Sequence, residues 1–440
     1  MPRIAVIEQG IPYTYADLSE QIRRVRETLR AHGVRPHDVV ILNGDFSFLS
    51  IATLLALSIE KNIVVPVVSL NEVVLSTIKE SCHPQHLVKV GEQLDIDAVA
   101  GPMEKMTDSY HRLVEAGASG LVLLSSGSTG VPKVILHNFD SIISEKLGKR
   151  ARFGAKAPNI LMFLLFDHIG GINSLLGVLR IGGTAIVPRH RTPDEICSLI
   201  EKYEIRLLPT NPTFLNLILM GGFHQQYDLS SLRLITYGSE QMPEKLLKRV
   251  DAAFPQARLL QTFGTSETGI STTTSESSSS TYFKITDENV QYRIVDGELQ
   301  LKSKTQFLEY LNDSNASLTE DLWFRTGDLA EENADGFIKI KGRTKEIINV
   351  GGEKVFPVEL ESILLDSPLI DDCVVYGMPN AITGQTVCAD IQPCGDMTRA
   401  EARRHVTTFL AGKVDQFKIP TKVNVVETVA VTERFKKKRT

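Results

Sequence analysis

Between Thr14 and about residue 265, segments with helical spacing alternate with short apolar runs, and that alternation restricts the fold more than any other feature of the chain. Thr14 reads as a helix N-cap, Leu18, Ile22, Val25 and Leu29 form one apolar stripe, and Gly33 stands at the exit. Val39–Leu42 reads as a strand, Phe48–Ile59 as a buried helix and Ile63–Val68 as the next strand. The pattern continues through Ile160–Phe166 (strand), Ser174–Arg180 (helix), Thr184–Val187 (strand), Pro193–Tyr203 (helix) and Arg206–Pro209 (strand). Alternation of this kind predicts α/β layers with largely parallel sheet, and places ligands in the loops at strand ends.

The style changes downstream. Residues 271–280, STTTSESSSS, read as a mobile surface loop, and residues 291–341 as short strands joined by turns at Asp296-Gly297 and Asp335-Gly336. A further compact α+β segment follows, with a helix near Pro357 and strands near 373–377 and 422–426. At 440 residues the chain is too long for one ordinary core. The expectation is a large N-terminal domain, 1–342, of α/β layers with a β-rich subdomain, and a small C-terminal α+β domain, 343–440, with the boundary near 343–346; that the small domain is mobile about a hinge there is implied by the family resemblance that the motifs below carry.

Composition removes several classes. A net charge of −5 gives no support for nucleic-acid binding. Cys82, Cys197, Cys373, Cys388 and Cys394 lack zinc or redox spacing, and their odd number argues against a disulfide framework, so a reducing, cytoplasmic setting fits. No signal peptide is read, and the longest apolar stretch, Phe48 to Ile59, is too short to span a bilayer.

The stretch LVLLSSGSTGVPK, residues 121–133, carries the first chemical signal. Residues 121–124 read as a buried strand. Gly127 and Gly130 let several N–H groups point at one anion, Ser125, Ser126, Ser128 and Thr129 add hydroxyls, and Lys133 adds charge. The order differs from a Walker loop, which needs G-x-x-x-x-G-K-[ST]. By itself the stretch fits either a phosphate loop or an ordinary Ser/Gly turn.

Four further segments follow in order: TFGTSETG (262–269), WFRTGDL (323–329), KGRTKEIINVGGEKVFPVELE (341–361) and FKIPTKVNVVETVAVTERFKKKR (417–439). Together the five resemble the acyl-adenylate-forming superfamily of acyl-CoA synthetases, peptide-synthetase adenylation domains and firefly luciferase, over nearly the whole chain. The resemblance implies a two-step reaction: a carboxylate attacks the α-phosphate of ATP, giving acyl-AMP and pyrophosphate, and a thiol then displaces AMP.

It also implies residue roles. Ser126, Gly127, Ser128, Thr129, Gly130 and Lys133 would hold the β- and γ-phosphates, although Val134 stands where a glycine is usual. Glu267 would bind Mg2+, Ser266 would donate to the α-phosphate, and Phe263, in the usual tyrosine position, would stack on adenine beside Gly264 and Thr265. Gly238, Ser239 and Glu240 resemble the stretch lining the adenine pocket. Asp328 would accept the ribose hydroxyls, with Arg343 as its partner, and Lys345 falls at the hinge position. In the closing segment Phe417, Lys418, Pro420, Thr432, Lys436 and Arg439 match, so Lys436 takes the place of the catalytic lysine. Phe435 replaces the glycine before it, which leaves the assignment open among Lys436, Lys437 and Lys438.

The acid is less defined. LLFDHIGGINSLL (164–176) resembles the P-L-F-H-x-x-G form of acyl- and aryl-CoA ligases, with His168 as the histidine. A rival alignment makes Asp167 the residue that binds a substrate ammonium, and a third reading gives Asp167 a helix cap and His168 a place in the core. Asn211, Thr213, Phe214, Gly238 and Thr265 are candidates for the acyl pocket of a small or medium acid. No carrier domain follows Arg439, so the acceptor is expected in trans, as CoA or a phosphopantetheinyl carrier protein. The first 115 residues are shorter than in most relatives. A stand-alone amino-acid adenylation enzyme, a luciferase-like oxidoreductase and an inactive binding protein are the alternatives, and nothing in the sequence bears on oligomeric state.

Overall fold

The computed structural model describes residues 2–99, 107–125, 132–148, 157–314 and 317–439. The first helix is Tyr15–Ala31, and the Thr14 N-cap closes a reciprocal capping box with Asp17. The chain then follows the expected order: strand Val39–Asn43, helix Phe48–Ile59 and strand Ile63–Val67. Phe48–Ile59 is apolar all round because it is covered on every side, packing with Tyr15–Ala31 and Ile169–Ile181 between two sheets in one continuous core.

Among the described residues, one of these sheets runs Arg258–Gln261, Leu234–Tyr237, Leu207–Thr210, Asn159–Leu161, Thr184–Val187, Ile4–Glu8, Ile11–Thr14. All of its pairs are parallel except the last. The other runs Glu309–Tyr310, Lys133–Asn138, Gly120–Ser125, Ile63–Val67, Val39–Asn43, His86–Val90, Leu94–Ala98, with a parallel centre and antiparallel flanks. Helices Pro193–Tyr203, Pro212–Met220 and Glu244–Ala253 cover the far face of the first sheet, and Glu72–Cys82 and Asp108–Glu115 that of the second.

Two expectations need correction. The strand expected over residues 160–166 ends at Leu161. Past it the chain leaves the sheet, and Phe166 turns into the core between the sheets, with Phe46 against its ring. The hydroxyl run 271–280 is not a surface loop throughout. Thr273–Ser275 is a strand, and Ser271, Thr273 and Ser275 are buried in alternation. Ser275 Oγ accepts from the Gln261 N–H, Ser278 Oγ from the Leu259 N–H, and Thr273 Oγ1 donates to the Gln261 carbonyl. Here hydroxyls do the work of a partner strand, satisfying the outer backbone of Arg258–Gln261.

Strands drawn from 273–303 and 324–343 form an antiparallel sheet with the order Thr273–Ser275, Phe283–Ile285, Ile338–Arg343, Phe324–Glu332, Glu298–Ser303, Val290–Val295. A 3-10 turn, Thr344–Glu346, leads from it to a last sheet. There Ile370–Asn380 pairs with Gly384–Pro393, Lys422–Val425 adds in parallel, and helices Pro357–Leu364 and Arg399–Leu410 complete a separate core. No helix among the described residues is long and apolar enough to cross a membrane.

Candidate active site

The ends of the parallel strands, the antiparallel sheet and the C-terminal tail converge on one cleft of about 160 Å3, whose walls include Gly238, Phe263, Asp328, Arg343 and Lys436. Residues far apart in the chain and expected at one nucleotide are thereby brought together.

Each is positioned by its own element. Asp328 and Arg343 are cross-strand partners in register, and Arg343 Nε donates to Asp328 Oδ1 at 3.0 Å. Burial raises the Asp328 carboxyl above its ordinary value, and Arg343 opposes that rise. Glu240 accepts the Thr213 N–H at 2.7 Å, at the N-terminus of Pro212–Met220, where the helix dipole favours a carboxylate. Burial nonetheless raises its carboxyl, with Thr213, Lys437 and Lys436 acting in the other direction. Gly238 and Gly264 are required by close approach. A Cβ on Gly238 would lie 2.7 Å from the Thr262 carbonyl oxygen, and one on Gly264 would lie 2.2 Å from that of Gly269. Phe263 lines the cleft and stacks on Phe283 with ring centroids 5.6 Å apart.

The turn after Phe263 is pinned from both sides. Thr265 Oγ1 accepts from the N–H groups of Glu267 and Thr268. His137, kept neutral by burial with its pKa lowered to about 4, donates to the Ser266 carbonyl at 2.8 Å, and the Phe307 N–H donates to the Glu267 carbonyl. Glu267 Oε1 accepts from the Tyr310 hydroxyl at 2.7 Å. Lys133 sits over the Tyr310 ring, 4.4 Å from its centroid, and pairs with Asp313 at 2.6 Å. The expected phosphate-loop lysine and metal carboxylate therefore share one aromatic neighbour. Ser126, Gly127, Ser128, Thr129 and Gly130 lie outside the described residues.

Among the described residues no three His, Cys, Asp or Glu side chains cluster as a metal cage. Mg2+ characteristically takes one or two carboxylates together with phosphate oxygens. Glu267, held by one hydroxyl and backed by a pinned turn, suits that donor set.

The three tail lysines part company. Thr432 organises a tight turn: its carbonyl accepts the Phe435 N–H, its N–H donates to the Lys436 carbonyl, and its hydroxyl accepts the Lys436 N–H. Lys436 then lines the cleft. Desolvation, then Arg343 and Arg434, lower its pKa to about 8 against the pull of Glu240. Lys437 also lines the cleft, but its ammonium is tied to buried Asp372, and Lys438 is exposed. Arg439 forks onto both carboxylate oxygens of buried Glu361 at 2.9 Å.

Phe435 sits in this turn at φ +53°, the left-handed region that glycine adopts freely and an L-residue enters at a cost of roughly 1–2 kcal/mol. Its ring stacks on Phe163 at 5.6 Å and meets Phe214 edge-on at 5.1 Å, contacts worth about 0.5–1.5 kcal/mol each, so packing offsets the strain. Asn211, N-cap of Pro212–Met220, secures the turn by donating to the Arg434 carbonyl at 2.9 Å.

Beside the cleft lies a second pocket of about 20 Å3, which shares Ser239 and Lys436 with it and extends to His168, Phe163 and Phe435. His168, not Asp167, caps the adjacent helix: its Nδ1 accepts the Gly170 N–H at 3.1 Å. Desolvation, then Arg434 and Lys436, lower the His168 pKa to about 3, so the ring is neutral. Asp167 accepts the Val68 N–H and pairs with Arg434 at 3.4 Å, and burial raises its carboxyl. Tyr310 and Asp313 carry no motif signal, and Arg434 and Glu361 stand inside motif segments without a role read for them; their places follow from contacts made across long stretches of chain.

A family model described as AMP-binding enzyme matches residues 1–306, and one described as AMP-binding enzyme C-terminal domain matches residues 359–436. The chain is 28% identical to the indoleacetate–CoA ligase of Aromatoleum aromaticum over 73% of its own length and 66% of the relative's. It is 27% identical to the peroxisomal OPC-8:0-CoA ligase 1 of Arabidopsis thaliana, over 97% of this chain and 88% of that one. In fold it matches the crystal structure of the anthranilate CoA ligase AuaEII in complex with anthranoyl-AMP, with a TM-score of 0.81, 21% identity, and coverage of 99% of this chain and 92% of the other.

Proposed function

Because the chain belongs to the AMP-binding enzyme family, within the acyl-adenylate-forming superfamily, we propose that it is an AMP-forming acid–thiol ligase of the acyl- or aryl-CoA type. It converts a carboxylic acid and ATP into acyl-AMP and pyrophosphate, then transfers the acyl group to the thiol of CoA. The observation that carries this reading is the seat of Lys436 at the seam of the two pockets, with the Asp328–Arg343 pair in the larger and His168 in the smaller.

In this reading the larger cleft takes the nucleotide. Phe263 offers a face for the base, Asp328 accepts from the ribose hydroxyls, and Arg343 adds charge on the phosphate side. The acid enters the smaller pocket with its carboxylate toward Lys436. As a carboxylate oxygen attacks the α-phosphorus and pyrophosphate departs, negative charge builds between the two pockets, and the ammonium stabilises it there. Lys133 and residues 126–130 hold the departing pyrophosphate. Glu267 would hold Mg2+, which when bound neutralises charge on the phosphate oxygens. Neutral His168 offers a wall without charge to the acid. In the second step the thiolate sulfur attacks the acyl carbonyl carbon and AMP leaves. That step needs the carbonyl uncovered, so the segment after Arg343 swings about Thr344–Glu346, with Lys345 at the hinge.

The relatives named as CoA ligases support CoA over a carrier protein as the acceptor. The spread of cysteines without paired spacing supports a cytoplasmic setting. The test is acid-dependent exchange of labelled pyrophosphate into ATP across fatty, aryl and amino acids, followed by thioester formation with CoA. Exchange without any thioester in the presence of CoA would remove the ligase assignment, and an amino-acid-only response would replace it with amino-acid adenylation.

A further inference from the structure

The acid pocket is nearly filled by the protein's own tail. Its free space of about 20 Å3 holds only one or two water-sized groups. Phe435 is part of its lining, and the Phe435 ring packs against both Phe163 and Phe214, which touch each other at 4.4 Å. A residue with φ +53° would be less strained as glycine, so the ring is held in place by the surroundings that pack on it. The segment is fastened before the ring by Asn211 on the Arg434 carbonyl and Asp167 on the Arg434 guanidinium, and after it by the Lys436 N–H on the Thr432 hydroxyl.

We propose that Phe435 is a specificity-determining wall of the acid pocket: its ring occupies the apolar end against Phe163 and Phe214, so that acids with short tails are selected for adenylation. This deepens, and rests on, the ligase reading above. Phe435 precedes Lys436 directly, so the wall and the cation arrive at the pocket together. Tail length is therefore judged when acyl-AMP forms. When the C-terminal segment swings away for thiol attack, the wall leaves with it, and the second step is indifferent to tail length.

The experiment compares wild type with Phe435→Gly, which removes ring and strain together, and Phe435→Ala, which removes the ring alone. Acetate, butyrate, hexanoate, decanoate and benzoate are assayed by pyrophosphate exchange, and by calorimetric binding in the presence of a non-hydrolysable ATP analogue. Wild type is expected to favour acetate and butyrate. In both variants the kcat/KM for hexanoate or benzoate relative to acetate is expected to rise at least tenfold. Thiolation of synthetic hexanoyl-AMP and acetyl-AMP by wild type is expected to differ by less than threefold. An equal fall for every acid in both variants would mean that Phe435 only docks the tail, and would overturn the proposal. So would a wild-type preference for decanoate or benzoate. Hexanoate binding gained in the variants while no form exchanges pyrophosphate would keep the wall and remove the ligase reading. Unchanged relative binding of all acids would remove the wall.

Discussion

Lys437 Nζ lies 2.6 Å from Asp372 Oδ1, in an ion pair whose side chains are 8% and 5% exposed, and donates a second hydrogen bond to the Cys373 carbonyl. That pair engages the ammonium of one of the two tail lysines that line the cleft, Lys436 and Lys437. Lys437 and Arg439 also line the cleft, but their charged ends are tied to Asp372 and Glu361, which leaves the Lys436 ammonium without a carboxylate in ion-pair contact among the described residues. Lys436→Ala is expected to lower adenylation by about 100- to 1,000-fold, the scale of removing one preorganised charge-stabilising group, while thiolation of supplied acyl-AMP survives. Lys437→Ala strands a buried carboxylate and is expected to destabilise by roughly 3–5 kcal/mol. Single-turnover kinetics on each half-reaction, with urea denaturation beside it, separate the two. Equal loss of both half-reactions in Lys436→Ala, with stability unchanged in Lys437→Ala, would reverse the assignment.

The pH profile follows from the same residue. With its pKa lowered to about 8, Lys436 loses its proton as pH rises through that value, and adenylation is expected to fall on that alkaline limb. Stability moves the other way. Between about 8 and the ordinary lysine value of 10.5 the unfolded chain binds more protons than the native one, so this group makes the fold more stable with rising pH there. Falling activity is then not unfolding. Lys436→Arg, which stays charged, is expected to remove the limb. His168, neutral down to about pH 3, is expected to contribute no limb near neutrality.

Glu267 and Tyr310 test the metal reading. Glu267→Gln keeps an acceptor for the Tyr310 hydroxyl but removes the charge, and is expected to reduce adenylation about 100-fold without unfolding the chain. Tyr310→Phe keeps the ring beneath Lys133 and removes the hydroxyl that fastens the carboxylate, so a loss under about tenfold is expected, comparable to one hydrogen bond of about 1 kcal/mol. Wild-type adenylation by Glu267→Gln under Mg2+ titration would refute the metal role.

Asp167 separates the two alignments of its segment. It is already engaged by Arg434 and the Val68 N–H, so Asp167→Asn is expected to leave the preferred acid unchanged. A preference for α- or β-amino acids that disappears in this variant would reinstate ammonium recognition.

Lys345→Pro addresses the hinge. Proline holds φ near −65°, which suits the 3-10 turn Thr344–Glu346 and resists leaving it. Adenylation is expected to persist while thioester formation slows at least tenfold. Stopped-flow measurement of the second half-reaction provides the check, and an unaltered rate would place the pivot elsewhere.

Much of this protein is written in local signals. The capping box at Thr14 and Asp17, the buried helix Phe48–Ile59 and the alternation of strands with helices depend on neighbours a few residues apart, so they survive in a one-dimensional reading. Asp328, Arg343 and Phe263 stand in short, distinctive contexts that drew them out of the sequence, and the fold brings all three to one cleft. Other features required the folded chain. Burial of alternate hydroxyls in residues 271–275 depends on a strand edge at Arg258–Gln261 that composition cannot reveal. Tyr310 meets Glu267, and Asp372 claims Lys437, across separations of 43 and 65 residues, with no periodicity to announce either. Phe435 looked like a defect in a glycine position. In the folded protein two phenylalanines from distant segments, Phe163 and Phe214, pack on the ring of the strained turn, because the energy that holds it comes from packing, and packing exists only in three dimensions.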